Sequence, residues 1–202
     1  MTAAPDPADC DTETVTVPRQ LPNAITVVRI LCAPVFLWML LVDGGANGPL
    51  RWWAAVLFAV AIATDGIDGY LARRNDIVTD LGKILDPIAD KALTGCAFVG
   101  LSILAELPWW ITVVVLVREV GITIYRFIVI GDHVLAAAWM GKLKTVAQAV
   151  ALTLALLPLW TLVGEWVWWP TVVMMTIAVI LTIASGIDYA VSEVRGRRRA
   201  RA

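Results

Sequence analysis

The chain has 202 residues, of which 59% are hydrophobic and 16% are charged. Soluble domains typically have about 45–50% apolar and about 25% charged residues, so the composition excludes an ordinary soluble protein and favours a membrane protein. The formal net charge is −1, and no nucleic-acid partner is expected.

Charge is unevenly distributed between the two ends of the chain. Residues 1–20 hold four acidic residues against Arg19 alone, and this composition predicts a disordered acidic tail. Residues 195–202 hold five arginines. They predict a basic cytoplasmic tail that touches anionic lipid, although a solubilising tail explains the charge equally well. Residues 21–194 are predicted to form one membrane domain.

Six apolar segments follow one another along this domain, each long enough to cross a bilayer. They are Asn23–Val42, Leu50–Arg74, Asp80–Ala105, Pro108–Ile130, Met140–Leu162 and Trp166–Val191. Pro34 and Pro158 fall inside the first and fifth segments, where we expect tolerated kinks. The predicted fold is therefore all-α, with six transmembrane helices and a polar cavity open to the cytoplasm.

The basic residues predict the orientation of these helices. Six of them flank the breaks after segments two and four, whereas the breaks after segments one, three and five have only Arg51. The six are Arg73, Arg74, Lys83, Arg126, Lys142 and Lys144. Both termini are then cytoplasmic. Eight of the ten tryptophans lie near the opposite breaks and predict an aromatic belt at the outer interface; they are Trp52, Trp53, Trp109, Trp110, Trp160, Trp166, Trp168 and Trp169.

Four aspartates interrupt the apolar pattern at the cytoplasmic end. Asp65 and Asp68 are three residues apart near the end of segment two, and Asp86 and Asp90 are four apart near the start of segment three. Each pair shares a helix face, and a short turn makes the two segments antiparallel neighbours. Charges at membrane depth are costly and usually functional.

Four converging carboxylates require a cation or protonation. With one histidine and three isolated cysteines, we expect an all-oxygen site for Mg²⁺ or Mn²⁺, with Ca²⁺ as an alternative. Two ions are plausible, and two-metal sites suit displacement at phosphorus. Two alternatives remain: salt bridges to neighbouring bases, and a carboxylate-based ion transporter.

Four bases near the same membrane surface predict a pocket for a phosphate group. They are Arg118, Arg126, Lys142 and Lys144. Arg118 lies about 12 Å deeper than Arg126 along one helix and needs a partner, but Glu119 is adjacent in sequence rather than on its face. Alternatively, Arg118 pairs with an aspartate, and the other three bases only reflect the enrichment of lysine and arginine on the cytoplasmic side of a membrane protein.

The aspartates belong to a longer motif. Residues 65–90 read Asp-x-x-Asp-Gly-x-x-Ala-Arg, eight residues, then Gly-x-x-x-Asp-x-x-x-Asp. This pattern resembles the signature of the CDP-alcohol phosphotransferase family, and the resemblance extends from Leu21 to segment six. Residues 85–91, Arg118-Glu119 and residues 141–145 are similar to the bacterial members that make phosphatidylglycerol phosphate and CMP from CDP-diacylglycerol and glycerol 3-phosphate.

The resemblance implies roles for individual residues. Asp65, Asp68 and Asp86 would be metal ligands, and Asp90 would be a ligand or the general base. The cytidine diphosphate of the donor would contact a larger set: Asn23, Thr26, Asp65, Asp68, Gly69, Ala72 and Arg73. Without the resemblance, an asparagine near a helix start such as Asn23 is more often a cap, and a basic residue at a helix C-terminus such as Arg73 is ordinary compensation of the helix dipole.

The resemblance also implies a homodimer in the bacterial plasma membrane, with CDP-diacylglycerol, glycerol 3-phosphate and membrane lipids as partners. The resemblance specifies the acceptor alcohol less narrowly than it specifies the donor. Phosphatidylglycerol, inositol phosphate and serine are the alternatives within the family, and the basic pocket argues against an unphosphorylated alcohol such as serine.

Overall fold

A computed structural model describes the backbone of residues 21–74, 80–128 and 138–199, and the side chains of residues 27–64, 91–125 and 141–192. Within these ranges the chain forms α-helices and one 3-10 turn, Glu165–Val167, and no strand. The helices are α1 Leu21–Asp43, α2 Pro49–Arg74, α3 Asp80–Ile103, α4 Trp109–Ile128, α5 Ala138–Leu156, α6 Trp160–Val163 and α7 Trp168–Arg199. The predicted all-α class is confirmed.

The turn between α1 and α2 follows directly from its sequence. Gly44 and Gly45 have positive φ angles of 58° and 82°, which glycine adopts without steric cost. The buried Asp43 carboxylate accepts hydrogen bonds from the backbone N–H groups of Asn47 and Gly48, both at 2.9 Å. Pro49 then begins α2, a position where its missing N–H costs nothing.

Pro158 ends a helix instead of kinking it. The prediction of one helix from Met140 to Leu162 is wrong, because α5 stops at Leu156 and the short α6 begins at Trp160. Proline has no N–H to donate, and its ring disfavours a helical conformation at the preceding residue. By contrast, α1 continues through Pro34 as expected.

The last helix continues past its apolar part. The prediction ended this segment at Val191, whereas α7 has 32 residues and ends at Arg199, for a length of about 48 Å. Arginine and glutamate favour helices and make up five of residues 192–199, so the loss of apolar residues does not end the helix. The first part of the predicted basic tail is therefore helical.

The helices pack around one apolar core. The most extensive contacts join α1 to α3 and α5 to α7, while α2 contacts both α1 and α5, and α4 contacts α3 and α7. Phe36 of α1 and Phe58 of α2 are fully buried, with ring centroids 5.5 Å apart. Gly100 allows the close approach of α1 and α3, since a Cβ there would lie 2.6 Å from a Leu40 methyl carbon.

A buried ion pair holds together one end of the bundle. Arg51, at the start of α2, is fully buried, and its Nη1 donates to Glu106 Oε1 at 2.8 Å. Its Nε donates to the Leu156 carbonyl at 2.9 Å, and its Nη2 donates to the Ala155 carbonyl at 3.0 Å. These carbonyls end α5 and lack helical partners, so Arg51 connects three parts of the chain.

Much of the described surface is apolar. Trp53, Trp166 and Trp169 expose 63–73% of their surface, and many valines and isoleucines are also exposed. Among the described residues, only Glu165–Ser192 is a helical stretch long and apolar enough to cross a bilayer by length and composition. Pro49–Thr64 and Lys91–Ile103 are shorter apolar stretches. Apolar surface of this extent on a monomer indicates contact with a membrane or another protein.

Candidate functional site

The four aspartates of the motif lie on two helices that contact each other. Asp65 and Asp68 are in α2, within its last ten residues, and Asp86 and Asp90 are in the first half of α3. Because both stretches are helical, spacings of three and four place the members of each pair on one helix face. Their side chains lie outside the residues whose side chains the structure describes.

Several other predicted contacts also have only their backbone described. Asn23 and Thr26 lie in the first two turns of α1. Gly69, Ala72 and Arg73 lie in the last two turns of α2, and Arg126 lies in the last turn of α4. The elements that would carry the site are therefore helical, while the side-chain positions of these residues stay predictions.

A divalent cation fits the donor set on α2 and α3. Two pairs of aspartates at helical spacing would supply the hard oxygen ligands that Mg²⁺ and Mn²⁺ prefer. Among the residues with described side chains, no three of histidine, cysteine, aspartate or glutamate come together to hold a metal. The candidate metal ligands therefore remain Asp65, Asp68, Asp86 and Asp90.

A buried carboxylate on α4 binds three cationic side chains. Glu119 is 7% exposed. Its Oε1 accepts hydrogen bonds from Lys144 Nζ of α5 and from Arg118 Nη1, the latter at 3.0 Å. Its Oε2 accepts from Lys91 Nζ of α3 at 2.6 Å. We call Lys91, Arg118, Glu119 and Lys144 the charge cluster.

A fourth helix, α7, completes the surroundings of Arg118. Arg118 Nη2 donates to Ser185 Oγ at 2.9 Å, and Ser185 Oγ donates to the Thr182 carbonyl at 3.0 Å. Arg118 Nε is buried and has no hydrogen-bond partner among the described atoms. Arg118 therefore pairs with its neighbour in sequence, contrary to the expectation from helix spacing, and its Nε has no partner among the described residues.

The structure separates the two lysines of α5. Lys144 is 4% exposed and binds Glu119, whereas Lys142 is exposed. Residues two apart are separated by a rotation of about 200° around the helix axis, and therefore lie on nearly opposite faces. Lys144 faces the bundle, and Lys142 faces away from it. Of the four bases predicted to form a pocket, the structure brings together Arg118 and Lys144.

One member of the charge cluster is the sequence neighbour of the predicted general base. Lys91 directly follows Asp90 in α3, and consecutive Cα atoms are about 3.8 Å apart. Lys91, Glu119 and Ser185 were not identified as site residues from the sequence. Glu119 could have been, because a carboxylate in the middle of an apolar helix needs a partner.

Comparison with known proteins agrees with the motif. Residues 19–184 match the family model described as CDP-alcohol phosphatidyltransferase. A Mycobacterium tuberculosis protein named "Probable phosphatidylglycerophosphate synthase" is 45% identical over 175 residues, which cover 87% of this chain and 82% of that protein.

Two further relatives have a more specific name. Proteins named "CDP-diacylglycerol--glycerol-3-phosphate 3-phosphatidyltransferase" are 38% identical in Bacillus subtilis and 34% identical in Escherichia coli. Each alignment covers 84% of this chain and 92% of the relative. The helical architecture, the motif and these matches together establish that the chain belongs to the CDP-alcohol phosphatidyltransferase family and is an enzyme of that class.

Proposed function

We propose that this enzyme transfers the phosphatidyl group of CDP-diacylglycerol to glycerol 3-phosphate, giving phosphatidylglycerol phosphate and CMP. The names of the relatives support this reaction. The observation on this chain that carries the acceptor assignment is the charge cluster, in which three cations share one carboxylate. Family membership decides against the ion transporter that the aspartates alone left open.

The aspartates would provide the reaction chemistry. Asp65, Asp68 and Asp86 would hold one or two Mg²⁺ or Mn²⁺ ions, and the ions would offset the charge that develops on the departing CMP. Asp90 would remove the proton from the attacking hydroxyl of glycerol 3-phosphate. Asn23, Thr26, Gly69, Ala72 and Arg73 would bind the cytidine diphosphate.

A phosphorylated acceptor suits the buried cations better than an uncharged alcohol does. Arg118 and Lys144 provide charge-assisted donors, which form the stronger class of hydrogen bond with phosphate. Serine would leave these charges without a ligand. Inositol phosphate would satisfy them, and phosphatidylglycerol carries a phosphodiester, so these two are the acceptors that must be distinguished by experiment.

We place the enzyme in the bacterial plasma membrane as a homodimer, with six spans and a polar cavity open to the cytoplasm. Six helices have 19 to 32 residues, close to or above the roughly 20 residues that a span requires. Exposed tryptophans and β-branched residues supply a lipid-facing surface. In this orientation the aspartates and both termini face the cytoplasm.

Labelling of single cysteines tests the orientation. In a background without thiols, Asn47→Cys and Gly164→Cys should react with an impermeant maleimide added to intact cells. Asn75→Cys and Ala200→Cys should react only after the cells are opened, because the basic residues keep their ends inside. The reverse pattern would contradict a site that faces cytoplasmic substrates.

Acceptor kinetics test the assignment of the bases. Arg118→Ala should raise the KM for glycerol 3-phosphate about tenfold or more, since it removes a charge-assisted donor, and should leave the KM for CDP-diacylglycerol nearly unchanged. Lys142→Ala should have a smaller effect, because Lys142 is exposed. Rates with glycerol 3-phosphate varied at saturating donor provide both constants. Unchanged acceptor KM values in both variants would contradict the basic pocket.

A further inference from the structure

The charge cluster contains more positive charge than it can neutralise. Lys91, Arg118 and Lys144 contribute three positive charges, and Glu119 contributes one negative charge, which leaves a formal sum of +2 among these four groups. Lys144 and Glu119 are 4% and 7% exposed. Charges buried to this extent are stable only when they are paired and hydrogen-bonded, so the cluster suits an additional anion.

Its residual charge fits a phosphate monoester, which carries about −1.5 to −2 charges at neutral pH. Arg118 Nε is a buried donor without a partner among the described atoms and could serve a phosphate oxygen. The side chain of Lys91 is 28% exposed, so one of the three cations is only partly buried. Lys91 belongs to α3, the helix that carries Asp90.

Glu119 is the group that makes this arrangement possible. Without it, three cations from α3, α4 and α5 would repel one another at close range. Its two oxygens divide the cations between them: Oε1 binds Arg118 and Lys144, and Oε2 binds Lys91. The carboxylate therefore fixes the position of Lys91 relative to Arg118, across two helices.

We propose that Glu119 is a positioning residue for the acceptor, holding Lys91, Arg118 and Lys144 as one phosphate-binding cluster beside Asp90. Because glycerol 3-phosphate is the acceptor only under the proposed function, this inference rests on that function. It assigns a role to Glu119 and to Lys91, and it makes acceptor affinity depend on a carboxylate that has the same sign of charge as the ligand.

Two other roles for Glu119 make different predictions. If the carboxylate only stabilises the bundle, its loss should lower stability without a selective change in acceptor KM. If it competes with phosphate for the cations, its loss should lower the acceptor KM. A positioning role predicts a higher acceptor KM, because the cations separate when their shared partner is removed.

The test compares Glu119→Gln, Glu119→Asp and Lys91→Gln in the purified full-length protein, with glycerol 3-phosphate varied at saturating CDP-diacylglycerol. Glu119→Gln should raise the acceptor KM about tenfold or more, by analogy with the loss of charge-assisted hydrogen bonds, and change the donor KM by less than about twofold. Glu119→Asp keeps the charge and should restore part of the affinity. Lys91→Gln should also raise the acceptor KM.

Two control variants separate positioning from stability. Glu106→Gln weakens the ion pair between Glu106 and the buried Arg51, beyond the C-terminal end of α3, whereas Lys91 lies near the middle of that helix. Gln148→Leu removes a hydrogen bond to Thr182 one helical turn from Lys144. Both should lower the thermal unfolding temperature and leave the acceptor KM unchanged.

Unchanged or lower acceptor KM values in folded Glu119→Gln would overturn the proposal. If that variant does not fold, Lys91→Gln decides in the same way, since its partly exposed side chain makes a folding defect less severe. A wild-type enzyme that releases no CMP in response to glycerol 3-phosphate would overturn the proposed function, and this inference with it, before any variant is compared.

Discussion

Replacing Asp65, Asp68 or Asp86 by asparagine is expected to reduce turnover by about 10²–10⁴-fold, since metal ions contribute several kcal/mol to charge stabilisation in a transition state. Asparagine keeps the size of the side chain and removes its charge. Excess chelator should abolish wild-type turnover, and added Mg²⁺ or Mn²⁺ should restore it. CMP release at saturating substrates measures both effects.

A control aspartate is available on α7. Asp188 is exposed and has no assigned role in the site, so Asp188→Asn should keep wild-type turnover and the same response to Mg²⁺. Full activity of the wild-type enzyme in excess chelator would contradict metal dependence. Loss of activity in Asp188→Asn equal to that in Asp65→Asn would show that the substitutions act through folding.

Asp90→Asn is expected to retain donor binding and lose rate. Removal of a general base typically costs about 10²–10⁴-fold, while binding of the cytidine diphosphate should depend mainly on the other three aspartates. Titration calorimetry with a CDP ligand measures the affinity, and CMP release measures the rate. Loss of binding together with turnover would assign Asp90 to the metal or the donor instead.

The helices of the chain could be predicted from sequence because apolar length and glycine or proline breaks are local properties. The turn after Asp43 and the start of α2 at Pro49 follow from such signals. A helix boundary was predicted wrongly where one sequence feature is compatible with two structures. Pro158 is compatible with a kink or an end, and the structure shows an end at Leu156.

Partners distant in sequence could not be predicted from one chain. Arg51 was interpreted only as a base at an outer break, yet it binds carbonyls about a hundred residues further along the chain, at Ala155 and Leu156. Lys91 meets Glu119 because α3 packs against α4. Which helices become neighbours depends on packing, and the local pattern of either helix does not contain that information.

Helix periodicity alone could have predicted part of the site more accurately. Lys142 and Lys144 were assigned to one pocket, although positions two apart on a helix face in different directions. The structure buries Lys144 and exposes Lys142. The paired aspartates were a stronger prediction, because their spacings match a helix face whichever way α2 and α3 pack, and both stretches are helical.

The most direct test is to identify the lipid product made by the purified protein from CDP-diacylglycerol, Mg²⁺ and one acceptor at a time. The acceptors are glycerol 3-phosphate, inositol phosphate, phosphatidylglycerol and serine. We predict that glycerol 3-phosphate gives phosphatidylglycerol phosphate and an equal amount of CMP, and that the other three give little product. Efficient transfer to another acceptor, or no CMP release with any of the four, would contradict the proposed function.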